Sequence, residues 1–438
     1  MSRKCYIAAL LACCLAMATD CPAAEAAPEK NTPAKAAPAK ETPAKETPAK
    51  KAPAKEAKPK VEQSVRYVTL DAPAGMSRAV VVQGHPLVYT RQLLPLDAEG
   101  KIVGEGSADK QIEQVLDNLE KVLKAGGSGL DKLIRFNIQA LSHETADRTR
   151  ELLGKRLDAA VRPAVTVVLT PLPDRKALVA VDAVAVAEKG EGVELKRAEA
   201  VGGDKGCADA ALIPAGGAVY VSGYPENGSL AKSAVSRSLS ALLKIIGELK
   251  LSAADVVRVK VFLTPASSAE EALEEVKKLF PGQLTPPVVF VEWIASMPVE
   301  IELVAQLPAD KPAENVRFFR PPWLRPSATF SRVALVGSQR QIFISGLSAR
   351  KPGDGEFQTR DVFEQLDVIL AETGSDIEHL AKATYYVSDD DASRGLNIVR
   401  PELFDLARPP AASKVTVHGV GQAKRMVTMD MIAVPSGK

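Results

Sequence analysis

The stretch Ala-Val-Tyr-Val-Ser-Gly at residues 218–223 decides the fold, because it returns as Gln-Ile-Phe-Ile-Ser-Gly at residues 341–346. Ser222 and Ser345 are 123 residues apart, and each is followed by the same order of sequence patterns. An eroded third copy begins near Thr90, which stands in the place of the serine. Repeats longer than about one hundred residues indicate duplicated domains, since solenoid repeats are about 20–50 residues long. The chain is therefore predicted to be one fold written three times.

Each copy is predicted to contain the same elements in the order ββ(β)αβαββ. In the second copy the first helix has one apolar face, formed by Val235, Leu239, Leu242, Leu243 and Ile246. Crossover helices between strands of one sheet predict an α+β sandwich with two helices on one face. The strands are apolar on their other face too, so the three copies are expected to close on one another as an intramolecular pseudo-trimer. The folded part is then expected to be a monomer.

The domain boundaries follow from the repeats and from composition. We expect a signal peptide at 1–24, a Lys/Ala/Pro-rich disordered linker at 25–61, and three domains at 62–188, 193–308 and 314–436.

The first sixty residues differ in composition from the rest of the chain. Arg3 and Lys4 precede an apolar run of about 13 residues and then small residues, a pattern typical of a secretory signal. The run is too short to span a bilayer, which needs about 20 residues. We therefore expect export to the periplasm or the extracellular space. Pro-Ala-Lys then recurs every five residues from Pro33 to Pro53; it is interpreted as a solvated spacer, or alternatively as a basic tail that holds the protein at an acidic surface.

The charge balance and the scattered histidines exclude several classes of function. Residues 1–60 contain 11 Lys+Arg and 6 Asp+Glu, so the remaining chain has a net charge of −3 within a total of +2. That balance argues against nucleic-acid binding, which needs a basic face. Cys207 is the one cysteine beyond residue 21, and no Cys/His group has zinc spacing. We expect neither a metal nor a cofactor.

These sequence features resemble the Rid (YjgF-type) family of reactive-intermediate deaminases. The resemblance rests on the repeated Ser-Gly phrase and on three further phrases, Gln114-x-Leu116-x-Asn118-Leu119, Phe330-Ser331-Arg332-Val333 and Pro410-Ala411-x-Ser413. It implies homotrimers of the sandwich with pockets between subunits, where enamines and imines are hydrolysed. It also implies an arginine, in the phrase Pro-Ala-Arg-Ser, that holds the substrate carboxylate, and a glutamate on the last strand that positions water.

The chain departs from the family at both of these positions. The arginine is replaced in every copy, by Val165, Val288 and Ala412. The glutamate position reads Ala180, Glu300 and Thr428, so the second copy alone keeps the acid. Loss of one partner of a closed guanidinium–carboxylate pair costs about 2–5 kcal/mol. Because the arginine is absent from every copy, we expect that no copy holds a substrate carboxylate in the way the family does.

The candidate site residues each have a structural alternative. Glu300 is the candidate catalytic residue, although its alternation with Glu302 is also typical of a solvent-facing pair. The candidate ligand-binding residues are Ser222, Ser345, Asn397, Phe330, Arg91 and the former arginine positions Val165, Val288 and Ala412. The serines are equally consistent with turn residues, Asn397 with a helix cap and Arg91 with an ordinary exposed arginine.

Two functions are consistent with these residues. The first is a catalytically degenerate protein that binds a small ligand, or a partner, in the clefts between its domains. The alternative is an enamine/imine deaminase that uses Glu300 together with another cation, such as Arg91 or Arg332.

Overall fold

The computed structural model describes residues 62–228, 233–307 and 314–437, all within a compact unit that runs from Pro59 to Lys438. The predicted signal peptide and linker, 1–24 and 25–61, lie outside the described residues. Within those residues, no helix combines the length and the apolar character needed to cross a membrane.

The helices occur as three pairs, one pair for each predicted copy. Their bounds are α1 Ala108–Ala125, α2 His143–Arg156, α3 Val235–Gly247, α4 Ala269–Lys277, α5 Gly355–Thr373 and α6 Asp390–Leu403. Three of them begin at a side-chain cap, from Ser142, Asp354 or Asp389, that accepts a backbone N–H of the first turn. Helix α5 ends at Gly374, which takes the left-handed conformation (φ 74°) that glycine adopts without strain.

The strands form three sheets, each with one parallel pair among antiparallel neighbours. The first sheet has the order β18 (Gly419–Val420), β5 (Ala164–Leu169), β4 (Leu133–Ala140), β6 (Val179–Val186), β3 (Leu87–Thr90), β8 (Ala210–Ile213), β7 (Glu194–Lys196). The second sheet has the order β11 (Val288–Glu292), β10 (Val256–Leu263), β12 (Val299–Gln306), β9 (Ala218–Glu226), β14 (Val333–Val336), β13 (Val316–Phe319). The third sheet has the order β17 (Ala411–Thr416), β16 (Leu380–Val387), β19 (Val427–Ala433), β15 (Arg340–Leu347), β2 (Ala79–Gln83), β1 (Ser64–Val68).

Each sheet is covered on both faces, which confirms the predicted α+β class. The parallel pairs β4–β5, β10–β11 and β16–β17 are each joined through a crossover helix, so the helices cover one face. Three apolar clusters lie under these helices. A fourth joins the opposite faces of all three sheets and includes Tyr89, Tyr220 and Phe343, each at most 2% exposed. The sheets therefore share a common core.

One edge of each sheet is completed by a hairpin from a different part of the chain. Hairpin β7–β8 adds to β3 of the first sheet, and hairpin β13–β14 adds to β9 of the second. The N-terminal hairpin β1–β2 adds to β15 of the third sheet, with Val81 opposite Ile342. The exchange of hairpins is thus cyclic, and the first sheet also takes the short strand β18 from the third segment. In the third sheet, the N-terminal hairpin therefore pairs with a strand of the C-terminal segment.

Buried ion pairs link the sheets in the same cyclic order. In each central strand, β4, β10 or β16, the third residue is a cation; in each of β6, β12 and β19, the fourth residue is an acid. The pairs, named here the ion-pair cycle, are Arg135–Asp430 (2.7 Å), Arg258–Asp182 (3.1 Å) and Lys382–Glu302 (2.6 Å). All six side chains are at most 9% exposed. Each pair joins two sheets, because its cation and its acid come from different ones.

Candidate functional site

Both repeated serines lie at junctions between sheets, where their hydroxyls are fully engaged. The Ser222 hydroxyl donates to the Ser331 carbonyl (2.6 Å) and accepts the N–H of Ala412 (2.7 Å). The Ser345 hydroxyl likewise donates to the Ser77 carbonyl (2.5 Å) and accepts the N–H of Val165 (2.9 Å). Both serines therefore bind the backbone of a former arginine position across a junction. The two hydroxyl groups therefore connect neighbouring sheets and are not free to bind a ligand.

The junction between the first and second sheets has a different arrangement. Thr90 accepts the N–H of Ala183 within its own sheet, so it does not bridge to Val288. A cavity of about 630 Å³ lies there, and Arg91 and Val288 are among its lining residues. The Arg91 guanidinium is occupied by Asp209 (Nε–Oδ1 2.7 Å) and by backbone carbonyls. Arg91 therefore links Asp209 to neighbouring backbone carbonyls beside this cavity. It is not available to hold a ligand carboxylate in place of the arginine that the family has.

The sole glutamate at the family position lies at the junction of the second and third sheets. We name this junction the Glu300 cleft; it comprises Gly223, Tyr224, Glu300, Phe330, Arg332, Ala412 and Ser413. Glu300 is 8% exposed, on β12. A β-carbon added to Gly223 would collide with Oε1 of Glu300, so the glycine is what leaves room for the carboxyl group.

The surroundings of Glu300 favour its protonated form. Burial raises the pKa of Glu300 to about 7, and the negative charge of Glu302 adds to this effect. The charges of Lys382 and Arg332 and the Ser413 hydroxyl oppose the shift without cancelling it. A carboxyl group with a pKa near 7 can both accept and donate a proton at neutral pH.

Glu302, two residues along the same strand, is held in the opposite state. Burial alone would raise the pKa of Glu302, but the charges of Lys382 and Lys260 outweigh it and lower that pKa. The Ser413 hydroxyl donates to its Oε2 atom (2.5 Å). Glu302 is 7% exposed, so Glu300 and Glu302 are not a solvent-facing pair. Glu302 is therefore kept charged by its lysine partners, whereas Glu300 exchanges its proton near neutral pH.

Arg332 supplies a guanidinium to the Glu300 cleft from an unexpected element. It precedes β14, in the hairpin that the third segment contributes to the second sheet. Its Nη1 donates to the Gly223 carbonyl (2.9 Å), and its guanidinium stacks over the rings of Tyr224 (5.3 Å) and Phe330 (4.9 Å). Among the described residues no carboxylate forms an ion pair with it. Arg332 therefore keeps donor capacity for an anionic ligand.

Asn397 forms its side-chain hydrogen bonds outside the group of residues that defines the Glu300 cleft. It is an exposed residue within α6, where its Oδ1 accepts from Arg400 (2.9 Å) and Lys414 (3.3 Å). Asn397 is therefore neither in the Glu300 cleft nor at the end of its helix.

Sequence reasoning identified Glu300, Phe330 and Arg332 but missed two residues of the Glu300 cleft. Ser413 belongs to the phrase Pro410-Ala411-x-Ser413 and Tyr224 directly follows the Ser-Gly phrase, but neither was named as a candidate site residue. Their position relative to Glu300 depends on which strand edges meet across the junction, and a single sequence does not report that. No group of three or more His, Cys, Asp or Glu side chains in the part of the chain that the structure describes is arranged to hold a metal ion.

Replacing Glu300 by glutamine is expected to stabilise the protein at high pH. The pKa of Glu300 rises from an ordinary 4.5 to about 7 on folding, so the wild-type fold loses stability as the pH rises from about 4.5 through 7. At about 1.4 kcal/mol per pH unit, the loss is about 3 kcal/mol. Glu300→Gln should therefore match wild type near pH 4.5 and exceed it in urea midpoint at pH 8.

A matched control separates this effect from a general change in charge. Glu144 is an exposed glutamate in the first turn of α2. Glu144→Gln should follow the wild-type dependence of urea midpoint on pH. A Glu300→Gln protein that is less stable than wild type at pH 8 would show that the carboxylate is a structural group.

Comparison with known proteins identifies the relatives of this chain. The family model described as Endoribonuclease L-PSP matches residues 68–187 and 323–435, together more than half of the chain. The chain is 29% identical over 122 residues to the RutC family protein slr0709 of Synechocystis, covering 27% of this chain and 92% of that protein. It is 30% identical over 110 residues to the protein DfrA of Myxococcus xanthus, covering 25% of this chain and 83% of that protein.

Solved structures give matches of similar extent. The YjgF family member NMB1025 of Neisseria meningitidis is 28% identical, with 27% of this chain and 94% of that chain covered and a TM-score of 0.21. The Rid family protein YyfB of Yersinia pestis is 24% identical, with 28% and 98% covered and a TM-score of 0.24. The match of the family model to both an early and a late segment confirms the resemblance drawn from the repeated phrases. The chain belongs to the endoribonuclease L-PSP family, as a Rid/YjgF-type protein that carries repeated copies of the family's sequence.

Proposed function

We propose that this protein binds a small carboxylate-bearing ligand in the Glu300 cleft, and that this junction alone retains the ligand chemistry of the family. The observation that carries the proposal is the position of Arg332. Its guanidinium is stacked between two aromatic rings in the same cleft as Glu300 and lacks an ion-pair partner among the described residues. A ligand carboxylate would give it the bidentate partner that guanidinium groups prefer.

The other two junctions support this assignment to one cleft. At the junction of the third and first sheets the acid position holds Thr428, whose hydroxyl donates to the Leu347 carbonyl (3.1 Å). The cavity there is only about 30 Å³, which is far below the size of an ordinary ligand pocket. At the junction of the first and second sheets the acid position holds Ala180, and Arg91 is occupied by Asp209. Neither junction keeps a glutamate at the family position, although Arg175 lines the cavity between the first and second sheets together with Glu270 and Glu274.

A second candidate function, hydrolysis of imines or enamines, is favoured by the pKa of Glu300. In this reaction water adds to the carbon of the C=N bond while the Glu300 carboxylate takes a proton from the water. Glu300 passes that proton to the imine nitrogen, which gives a carbinolamine. The O–H proton of the carbinolamine then moves to the nitrogen through Glu300 as the C–N bond breaks, which leaves a C=O bond and ammonia. A group with a pKa of about 7 can perform both transfers. Arg332 would hold the substrate carboxylate in place of the arginine that all three copies lack.

Binding of 2-oxobutanoate and turnover of 2-iminobutanoate test both functions. Wild type is expected to bind the oxo acid, and Arg332→Gln should weaken binding about 30-fold or more, because it removes a charged partner from a closed site. Glu300→Gln should retain binding. If the protein is an enzyme, that variant should also lose about 10²–10⁴-fold in turnover.

Arg150→Gln is the control, because it removes a guanidinium that lines the cavity between the third and first sheets. It should leave binding unchanged. Equal affinity of wild type and Arg332→Gln for 2-oxobutanoate would contradict the proposed site. Turnover by wild type no faster than in buffer would leave ligand binding as the function and exclude deamination of this imine.

We further propose how the whole chain is arranged and where it acts. The three predicted domains would form an intramolecular pseudo-trimer, monomeric in solution, that takes the place of three separate subunits. The cyclic exchange of hairpins and the ion-pair cycle support this arrangement. Export to the periplasm or the extracellular space is proposed from residues 1–24 of the sequence alone. Association with a surface through the basic Pro-Ala-Lys segment is a further proposal on the same grounds.

A further inference from the structure

We propose that the ligand of the Glu300 cleft carries a second acidic group, and that Arg320 and Arg325 hold that group. This inference rests on the proposed function and narrows the ligand from small monocarboxylates to small diacids. It comes from a cavity of about 290 Å³ that shares Phe330 and Arg332 with the cleft.

The cavity is lined by positive charge without a compensating acid. Arg320, Arg325 and Arg332 are among its lining residues, and none of the lining residues is Asp or Glu. Phe318, Phe319 and Phe330 contribute aromatic faces to the same wall. Three guanidinium groups around one cavity repel one another, and an anion placed between them removes that repulsion.

The two outer arginines retain donors that the protein does not use. Arg325 is exposed, and within the described ranges it forms neither an ion pair nor a hydrogen bond. Arg320 uses Nη1 for the carbonyls of Pro321 and Leu324, which leaves its Nε and Nη2 donors. A carboxylate or phosphate group can accept two such donors at once.

The position of Arg332 connects the cavity to the Glu300 cleft. Its Nη1 reaches Gly223 inside the cleft, and the same residue lines the cavity. A ligand with one acidic group at Arg332 can therefore place a second group beside Arg320 and Arg325. A volume of about 290 Å³ lies at the small end of the range for ligand pockets, which favours a short diacid over a polymer.

Paired probes test the second acidic group. 2-Oxobutanoate and 2-oxoglutarate share the 2-oxo acid end, but the second alone has a distal carboxylate. Wild type should bind 2-oxoglutarate about tenfold more tightly, since each exposed ion pair adds up to about fivefold in affinity. Arg325→Gln should reduce this preference several-fold, and the double variant Arg320→Gln/Arg325→Gln should abolish it. Neither should change the affinity for 2-oxobutanoate.

Arg317→Gln is the control, because it removes an equal exposed charge from the same hairpin but from a different cavity. It should keep the wild-type preference, with folding of each variant checked by circular dichroism. Phosphoglycolate, compared with glycolate, tells whether phosphate replaces carboxylate as the second group.

Equal affinity of wild type for 2-oxobutanoate and 2-oxoglutarate would overturn this inference and leave the proposed function intact. Retention of the preference by Arg325→Gln and by the double variant would also overturn it. Failure of wild type to bind any of the acids would overturn the proposed function, and this inference with it.

Discussion

Replacing Asp182 by alanine is expected to destabilise the folded protein by about 3–5 kcal/mol, because it leaves a buried guanidinium without its partner. Asp182 is fully buried and pairs with Arg258 of another sheet (3.1 Å). It also accepts from Asn137 (2.8 Å) and Gln139 (2.9 Å), so the change removes three interactions at once. The measurement is the urea midpoint and slope at pH 7, and the loss is expected to appear mainly as a lower midpoint.

Two further variants isolate the contribution of the buried pair. Asp109 forms two hydrogen bonds with Arg148 (2.8 and 2.7 Å), but this pair is exposed, so Asp109→Ala should shift the midpoint little. The double variant Asp182→Leu/Arg258→Met removes both charges and should recover the part of the loss that comes from the unpaired guanidinium, while Asn137 and Gln139 still lack their acceptor. A midpoint for Asp182→Ala no lower than that of Asp109→Ala would show that the ion-pair cycle does not stabilise the fold.

Removal of the N-terminal hairpin, residues 62–83, is expected to abolish the stable monomer. The hairpin buries Val68, Val80, Val81 and Val82, each at most 6% exposed. Burial of four such side chains contributes roughly 6–12 kcal/mol, which is comparable to the whole stability of a typical folded protein. The deletion also exposes the hydrogen-bonding edge of β15, which is an open template for pairing with other chains.

The test compares two truncations by light scattering and urea unfolding. A chain that begins at residue 62 retains the hairpin and should behave as a folded monomer. A chain that begins at residue 84 should associate in a concentration-dependent manner, and a synthetic peptide of residues 62–83 should restore the monomer by adding its strands to the open edge. A monomeric chain from residue 84, with the midpoint of the longer chain, would show that the hairpin is dispensable.

Much of the fold could be predicted because repetition reinforces each local signal. The apolar face that includes Leu239 and Leu242 predicted a helix, and α3 occupies Val235–Gly247. The end of α5 at Gly374 also has a local cause, since glycine takes the left-handed conformation there. These features depend on side-chain periodicity and backbone conformation, which are local properties of the chain.

The exchange of hairpins could not be predicted, because it depends on which strand edges pair. Strands that are adjacent in sequence usually lie side by side. Strands β2 and β3 are separated only by residues 84–86, yet they belong to different sheets. Both faces of β2 are apolar, because Ala79, Val80, Val81 and Val82 are all buried, so its residue pattern does not choose between these two sheets.

The site was predicted in part for the same reason. The family resemblance pointed to Glu300 because that residue keeps both its type and its position on a closing strand. The replacement cation was harder to place, because Arg332 reaches the cleft through a hairpin that is contributed from the following segment. The burial of Glu302 was missed, since an alternating acidic pair on one strand is ordinarily a solvated one.

The ion-pair cycle also sets how each sheet is oriented between its two neighbours. Every cation in it meets an acid of the preceding sheet, because Arg258 of the second sheet pairs with the first and Lys382 of the third pairs with the second. If one sheet were turned around between its neighbours, its cation would meet a cation and its acid would meet an acid, at several kcal/mol for each buried charge. Apolar contact between sheet faces has no such polarity. The charges therefore set the orientation of each sheet toward its neighbours, which hydrophobic burial alone leaves undetermined.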